Sequence, residues 1–416
     1  MNKQLIFNSK PYLINNKNYS SLQFTIFFQI PYDKKYIGYD NLLKMLVMNS
    51  SLEYNTEESY NKKYKENMII RQSLNIAKFN NNLFYEFNLI VPDPSKIKNY
   101  NLEEAFKFFI DTIYKPNITN NEFNNYYFER EKRFIKDNIL QNKKNINYYA
   151  DERYINHIDD LGIIKENLAN NLEKLDTITP KDLYKYYKTN IINNTPILIA
   201  YGNIDDSIND LFYKYLKIKK KNIIINKDYY NFLKPSNNTK FIEEESKYYQ
   251  SILYTGYKIK NMSEEDIVYL TLLENIIGSN KLLFKKLRIK ENLVYSVSAS
   301  ANKNIGLYTV VTHIDNNSKD KAIQAINEVL KELYNKKDLK KYLNKLISNL
   351  ECIQIRSLDR RTKSLDDFIN NKFEFDLTIE KIIDEYKNID INRFYNFLDR
   401  VTLDTVYFLR GEFDGK

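Results

Sequence analysis

The sequence predicts an α+β protein made of two homologous domains, each a mostly antiparallel sheet flanked by helices. Three observations support this prediction: strands with alternating apolar residues, amphipathic helices between them, and an element order that recurs in the second half of the chain. The 416 residues exceed what one ordinary hydrophobic core requires. The hydrophobic content of 43% is typical of a folded globular protein.

In the first half, prolines and caps mark the element boundaries. Two strands with alternating apolar residues end at Pro31 and Pro92. Thr179 followed by Pro180 is a typical helix start, because threonine caps the helix and proline fits its first position. The expected elements are β-structure within 3–30, strands at 83–91 and 197–201, and helices at 40–48, 102–114, 122 to about 170 and from 180 onward.

After a polar region near residue 236 the elements start again. Ser263 and Asp266 form a capping box at the start of a helix that ends at Gly278. The expected elements are strands at 249–259, 293–298, 306–312 and 406–409, and helices at 263–277, 280–290, 319–334, from 338 onward and 393–400.

Three pairs of segments match between the two halves, in the same order. The pairs are 105–114 with 325–334, 178–187 with 389–398, and 196–205 with 405–414. Such ordered similarity at an offset of about two hundred residues indicates duplication of one unit. We therefore predict an N-terminal domain at 1–216, a basic and polar linker at 217–240, and a C-terminal domain at 241–416.

Charge and cysteine content restrict the class of protein. The net charge is +9, but lysine and glutamate are interspersed, which favours a solvated surface over a nucleic-acid site. The run Lys217–Lys227 is interpreted as linker, with a patch for RNA or an acidic partner as the alternative. The single Cys352, expected to be a small buried apolar residue, suits a reducing compartment. No run approaches about 18 apolar residues, so we expect a cytoplasmic protein without a membrane span.

The stretch Asn280–Ser298 has the clearest functional pattern. A helix ends near Arg288, and a strand with Tyr295 just inside it follows after a polar turn. A guanidinium and a phenol in these places can bind one backbone carbonyl or carboxylate. The alternative is that Arg288 caps its own helix and Tyr295 is a core strand residue.

This stretch, within a duplicated α+β chain, resembles the insulinase (pitrilysin) superfamily of zinc peptidases. In size the chain is similar to the short two-domain members, such as mitochondrial processing peptidase subunits and their bacterial heterodimeric relatives. The positions that match the family motif are Gly278, Ser279, Leu283, Phe284, Leu287, Arg288, Leu293, Val294, Tyr295 and Val297.

The resemblance implies a zinc motif, HxxEH, on the first helix of the N-terminal domain. In this sequence the corresponding ligand positions are occupied by Asp40 and Lys44, and the position of the catalytic base by Leu43. The chain contains only two histidines, His157 and His313, far apart in sequence, so it has no HxxEH. No cofactor is therefore expected in this chain, and zinc is expected only in a partner subunit.

The resemblance further implies that Arg288 and Tyr295 bind the substrate backbone and stabilise the oxyanion in a complex. The resulting hypothesis is a zinc-free, bacterial subunit that closes the chamber of an HxxEH-bearing sister subunit and helps it cleave peptides or unfolded segments. The alternative is a non-proteolytic scaffold with the same fold, and no nucleic-acid partner is expected.

Overall fold

The computed structural model describes residues 4–7, 10–30, 33–79, 82–162, 167–216, 223–226, 231–278, 281–360, 362–373 and 378–412. The chain divides into two compact units. Unit 1 comprises residues 1–140, 167–228 and 359–375, and unit 2 comprises residues 141–166, 229–358 and 376–416.

The elements are numbered in chain order. The strands of unit 1 are β1 (Gln4–Phe7), β2 (Tyr12–Asn15), β3 (Ser21–Ile30), β4 (Arg71–Phe79), β5 (Asn82–Pro92), β6 (Ile118–Thr119), β7 (Glu122–Phe123), β8 (Ile197–Gly202) and β9 (Ile223–Asn226). Its helices are α1 (Tyr39–Leu46), α2 (Glu57–Glu66), α3 (Leu102–Tyr114), most of α4 (Asn125–Asn142), α6 (Lys174–Thr177), α7 (Pro180–Tyr187), α8 (Ile208–Tyr215) and α13 (Lys363–Phe373).

Unit 2 has the remaining elements. Its strands are β10 (Lys240–Glu245), β11 (Ser251–Ile259), β12 (Val294–Asn302), β13 (Leu307–Ile314) and β14 (Val401–Arg410). Its helices are α5 (Ile146–Ile158), α9 (Ile267–Ile277), α10 (Leu282–Phe284), α11 (Lys319–Glu332), α12 (Lys336–Leu358), α14 (Ile379–Lys387) and α15 (Ile391–Leu398).

The two units contain five-stranded sheets of the same topology. The spatial orders are β2-β8-β3-β5-β4 and β10-β14-β11-β13-β12, which are the same order of first, fifth, second, fourth and third strand. In each sheet the first strand runs parallel to the fifth, and the other pairs are antiparallel. The predicted fold class is confirmed, and the shared topology supports the duplication inferred from the repeat.

Several predicted boundaries agree with the structure because local chemistry sets them. The helix predicted at 102–114 is α3, residue for residue. The Thr179 side chain accepts a hydrogen bond of 3.1 Å from the amide of Asp182 at the start of α7. The Asp266 carboxylate accepts one of 2.8 Å from the amide of Ser263, which completes the predicted capping box.

The units are not contiguous in sequence, because each contains a segment from the other half of the chain. Helix α5 covers the second face of the unit 2 sheet with Ala150, Tyr154 and Ile158. Helix α13 covers the corresponding face in unit 1 with Leu365 and Phe373. The linear domain division remains a prediction, and within its linker the described residues 223–226 form β9, which pairs with β1.

Helix α5 approaches the unit 2 sheet closely. A Cβ atom at Gly256, in the central strand β11, would collide with the side chains of Ile158 and Tyr154. The absence of a side chain there lets the helix pack directly on the strand.

Among the residues that the structure describes, the stretch 264–290, which includes α9 and α10, is long and apolar enough to cross a membrane by length and composition alone. The same test is passed by core helices, and 56% of the apolar window is buried inside the protein. Leu270, Leu273 and Ile277 of α9 have no exposed surface and belong to the unit 2 core. The stretch is therefore weak evidence for a membrane span.

Candidate functional site

The Arg288 side chain lies at the start of the edge strand β12. Leu283 and Leu287 anchor the preceding helix in the core, and its last turns, Lys285–Lys290, are π-helical. Such widened turns occur often at functional sites. The Nη1 atom of Arg288 donates a hydrogen bond of 2.8 Å to the main-chain oxygen of Val294.

Tyr295 is the extra residue of a β-bulge in β12, between the positions at which Val294 and Ser296 pair with β13. A bulge re-aims a side chain, and 46% of Tyr295 is exposed. Its hydroxyl donates a hydrogen bond of 2.6 Å to Oδ1 of Asp315. The hydrogen bond to this carboxylate favours the protonated phenol and so raises the pKa of Tyr295. The alternative interpretation of Tyr295 as a core residue is therefore wrong.

Arg288 and Tyr295 together flank the beginning of one open strand edge. Strand β12 pairs with β13 on one side, and no described strand pairs with its other side. Among the hydrogen bonds of the described residues, Arg288 uses one of its five N–H groups. Its remaining donors suit a carbonyl or carboxylate of a ligand, and the role of the pair in binding stays a prediction.

The three side chains at the positions assigned to the lost zinc motif do not point to a common centre. The Asp40 carboxylate accepts hydrogen bonds from the hydroxyls of Tyr85 and Tyr186, the latter over 3.1 Å. Burial raises the pKa of this carboxyl group. Leu43 is fully buried in the core, whereas Lys44 points to solvent. A core leucine and a solvated lysine cannot serve as the base and a ligand of a zinc centre.

The other residues considered for metal binding are also dispersed. The described residues contain no group of three or more His, Cys, Asp or Glu side chains arranged to hold a metal ion. His157 packs beside Tyr407 in unit 2 with a ring distance of 6.0 Å. The expectation that Cys352 is buried is wrong, because it lies on the exposed side of α12.

A pocket in unit 1 was not predicted from the sequence. It lies beside the end of α1 and is lined in part by Met45, Asn49, Arg130 and Glu131. The buried Glu131 carboxylate accepts a hydrogen bond of 2.8 Å from Nε of Arg130. Since adjacent Arg–Glu pairs are common on helices, the sequence contained no signal for this site. Arg130 also pairs with Glu57, which lines the same pocket, so all three charged side chains are engaged with one another.

The fold matches those of several solved proteins, one of which is an M16 inactive domain. A conserved protein from Enterococcus faecalis V583 has a TM-score of 0.84 and 19% identity, covering 99% of this chain and all of that one. A protease from Helicobacter pylori has a TM-score of 0.73 and 13% identity at the same coverage. The peptidase M16 inactive domain from Pseudomonas fluorescens has a TM-score of 0.71 and 11% identity, covering 98% of this chain and 97% of that one.

The sequence comparisons agree with the fold. Residues 177–349 match the family described as "Peptidase M16 inactive domain". The "Probable inactive metalloprotease YmfF" of Bacillus subtilis (strain 168) is 20% identical over 333 residues, which is 78% of each chain. The chain thus has the two-domain α+β fold of M16-like peptidases. Over residues 177–349 the chain is similar to the inactive M16 domain, and the predicted resemblance to the insulinase superfamily is confirmed.

Proposed function

We propose that this chain is the zinc-free subunit of a bacterial M16-type peptidase pair. In this proposal a sister subunit with HxxEH supplies the metal and the catalytic base. This chain closes the chamber and supplies Arg288 and Tyr295 for binding of the substrate backbone. The exposed free thiol of Cys352 favours a reducing compartment, so the proposed setting is the cytoplasm.

The asymmetry between the two halves of the chain is the observation that supports the proposal. On α1 the places for metal ligands hold a carboxylate engaged by two tyrosines and a solvated lysine. On β12 the guanidinium and phenol remain at an accessible strand edge. A chain without the zinc motif that carries donors for a carbonyl can assist metal-dependent peptide cleavage only together with another chain.

The open edge of β12 also favours a substrate in extended form. An extended peptide can add to such an edge through main-chain hydrogen bonds. Arg288 lies at the end of the edge where its spare N–H groups can meet the carbonyl that becomes an oxyanion. A donor in that place contributes about 3 kcal/mol to transition-state stabilisation.

The test is co-expression with an HxxEH-bearing M16 protein of similar length from the same organism. We expect a stable complex that cleaves unfolded peptides, while this chain alone does not cleave them. Arg288→Ala and Tyr295→Phe should each lower kcat/KM of the complex by about 10²-fold without preventing assembly. Lys290→Ala is the matched control, because this exposed lysine ends the same helix and should leave the rate unchanged.

The outcomes separate this proposal from the scaffold alternative. Failure of every such sister protein to associate would contradict the proposal. A stable complex whose peptidase rate is the same with wild-type, Arg288→Ala and Tyr295→Phe chains would favour a non-proteolytic scaffold.

A further inference from the structure

Three polar side chains of unit 2 form a hydrogen-bonded row that the proposed peptidase role does not use. Ser296 Oγ lies 2.7 Å from Nδ1 of His313. Nε2 of the same imidazole lies 2.7 Å from Oδ1 of Asn147. Ser296 is exposed on the edge strand, so its hydroxyl is open to a ligand.

The fold itself brings these residues together. Ser296 and His313 are direct partners across β12 and β13, so their side chains share one sheet face. Helix α5 lies on that face, where the Tyr154 hydroxyl is 2.9 Å from Oγ1 of Thr309. Asn147 is two helical turns from Tyr154, about 10 Å along the axis. His313 is four residues from Thr309, about 13 Å along the strand, so the helix carries Asn147 to the imidazole.

The hydrogen bonds have one consistent direction. Oδ1 of Asn147 can only accept, so Nε2 of His313 bears the ring proton and donates it. In the neutral imidazole Nδ1 then has a free lone pair, and the Ser296 hydroxyl donates to it. Burial lowers the pKa of His313 and so favours this neutral form near pH 7.

We propose that Ser296 and His313 are the nucleophile and general base of a hydrolytic site for carboxylic esters, positioned by Asn147. The order nucleophile, histidine and asparagine occurs in cysteine proteases, with serine here in place of cysteine. The site lies within this chain and needs neither a metal nor the sister subunit.

The reaction has two balanced steps. Ser296 Oγ attacks the ester carbonyl, its proton passes to Nδ1 of His313, and the proton then leaves with the departing alcohol as the ester C–O bond breaks. Water next attacks the acyl-serine and gives one proton to Nδ1. The bond to Oγ breaks, Ser296 regains a proton, and a carboxylic acid is released.

The strand edge supplies a donor for the oxyanion. In an antiparallel strand the backbone N–H groups point alternately to either side. With β13 on one side of β12 and no described strand on the other, an N–H at Ser296 or Val297 points to the open side. Such a donor can stabilise the charge that develops on the carbonyl oxygen.

The experiment uses the purified full chain with a fluorophosphonate probe, which phosphonylates activated serines, and with p-nitrophenyl acetate. We expect mass spectrometry to find the label on Ser296, together with a burst of p-nitrophenol. Ser296→Ala should abolish both signals, and His313→Gln should slow labelling by about 10²-fold or more. Ser298→Ala is the matched control, because this exposed serine lies two residues further along the same strand and should label normally.

Asn147 is tested as a positioning residue by rescue. Asn147→Ala should slow labelling, whereas Asn147→Asp retains an acceptor for the imidazole proton and should restore it. If Asn147 had a purely structural role, Asn147→Ala and Asn147→Asp would lower the melting temperature and the labelling rate to the same extent. Absence of labelling in the wild-type chain, or equal labelling of the wild type and Ser296→Ala, would overturn the proposal.

Discussion

Replacing Lys258 with methionine should strongly destabilise unit 2. Lys258 lies in the central strand β11, and none of its side chain is exposed. Its Nζ atom is 2.8 Å from Oδ2 of Asp160 and 3.2 Å from Oδ2 of Asp404. The Asp404 side chain is also fully buried, so its charge depends on the ammonium group for compensation.

The loss of stability in Lys258→Met depends on the contacts that the buried Asp404 keeps once the ammonium group is removed. Removing one partner of a buried ion pair costs about 3–5 kcal/mol, because the other charge stays buried and unpaired. Asp404 still accepts hydrogen bonds from the Ser236 amide at 2.6 Å and the Thr405 hydroxyl at 2.7 Å. We therefore expect the lower end, a decrease of about 3 kcal/mol in the free energy of unfolding.

Urea denaturation followed by far-UV circular dichroism measures this decrease. Lys240→Met is the control, because Lys240 contacts the same Asp160 at 2.6 Å but has 34% of its side chain exposed. That substitution should cost under about 1 kcal/mol. Adding Asp404→Asn to Lys258→Met should recover about half of the loss, since it removes the uncompensated charge. Equal costs for Lys258→Met and Lys240→Met, or no recovery in the double variant, would refute the reasoning.

Three further predictions concern packing, pH and metal. Gly256→Ala should lower the free energy of unfolding by about 1–3 kcal/mol in urea, because its Cβ collides with α5; an unchanged midpoint would contradict this packing. The melting temperature of the Asp40→Asn variant should increase relative to that of the wild type as pH rises from about 4 to 7. Burial raises the pKa of Asp40 in the folded protein, so the unfolded chain releases this proton at lower pH and the stability of the wild type falls over that pH range. Melting temperatures of the two proteins that change in parallel with pH would contradict the raised pKa. Addition of Zn²⁺ or EDTA should leave the melting temperature of the isolated chain unchanged, since its described residues form no metal cluster; a shift with zinc that EDTA reverses would indicate a site.

Much of the fold was predictable because it depends on local patterns. Alternating apolar residues marked β3 and β5, and apolar residues at helical spacing marked α3. The repeated segments lie in equivalent elements of the two sheets, α3 with α11 and β8 with β14. Periodicity and capping act within a few residues, so one sequence is enough to recognise them.

The details of the candidate site were less predictable. The order of helix, turn and strand around Arg288 and Tyr295 could be inferred from the sequence. The bulge that exposes Tyr295 and the bond from Arg288 to Val294 could not. Both depend on how β12 pairs with β13, a register that the sequence of β12 alone does not specify.

The sequence by itself determined that this chain lacks HxxEH, because two histidines so far apart cannot form that motif. It also determined the duplicated α+β class. Only the tertiary structure decided that α5 and α13 each pack in the unit formed mainly by the other half, and that Cys352 is exposed. It alone brought Asn147 to His313 and Ser296. These are contacts between residues distant in sequence, and they form wherever apolar faces and strand registers fit best, which local patterns do not encode.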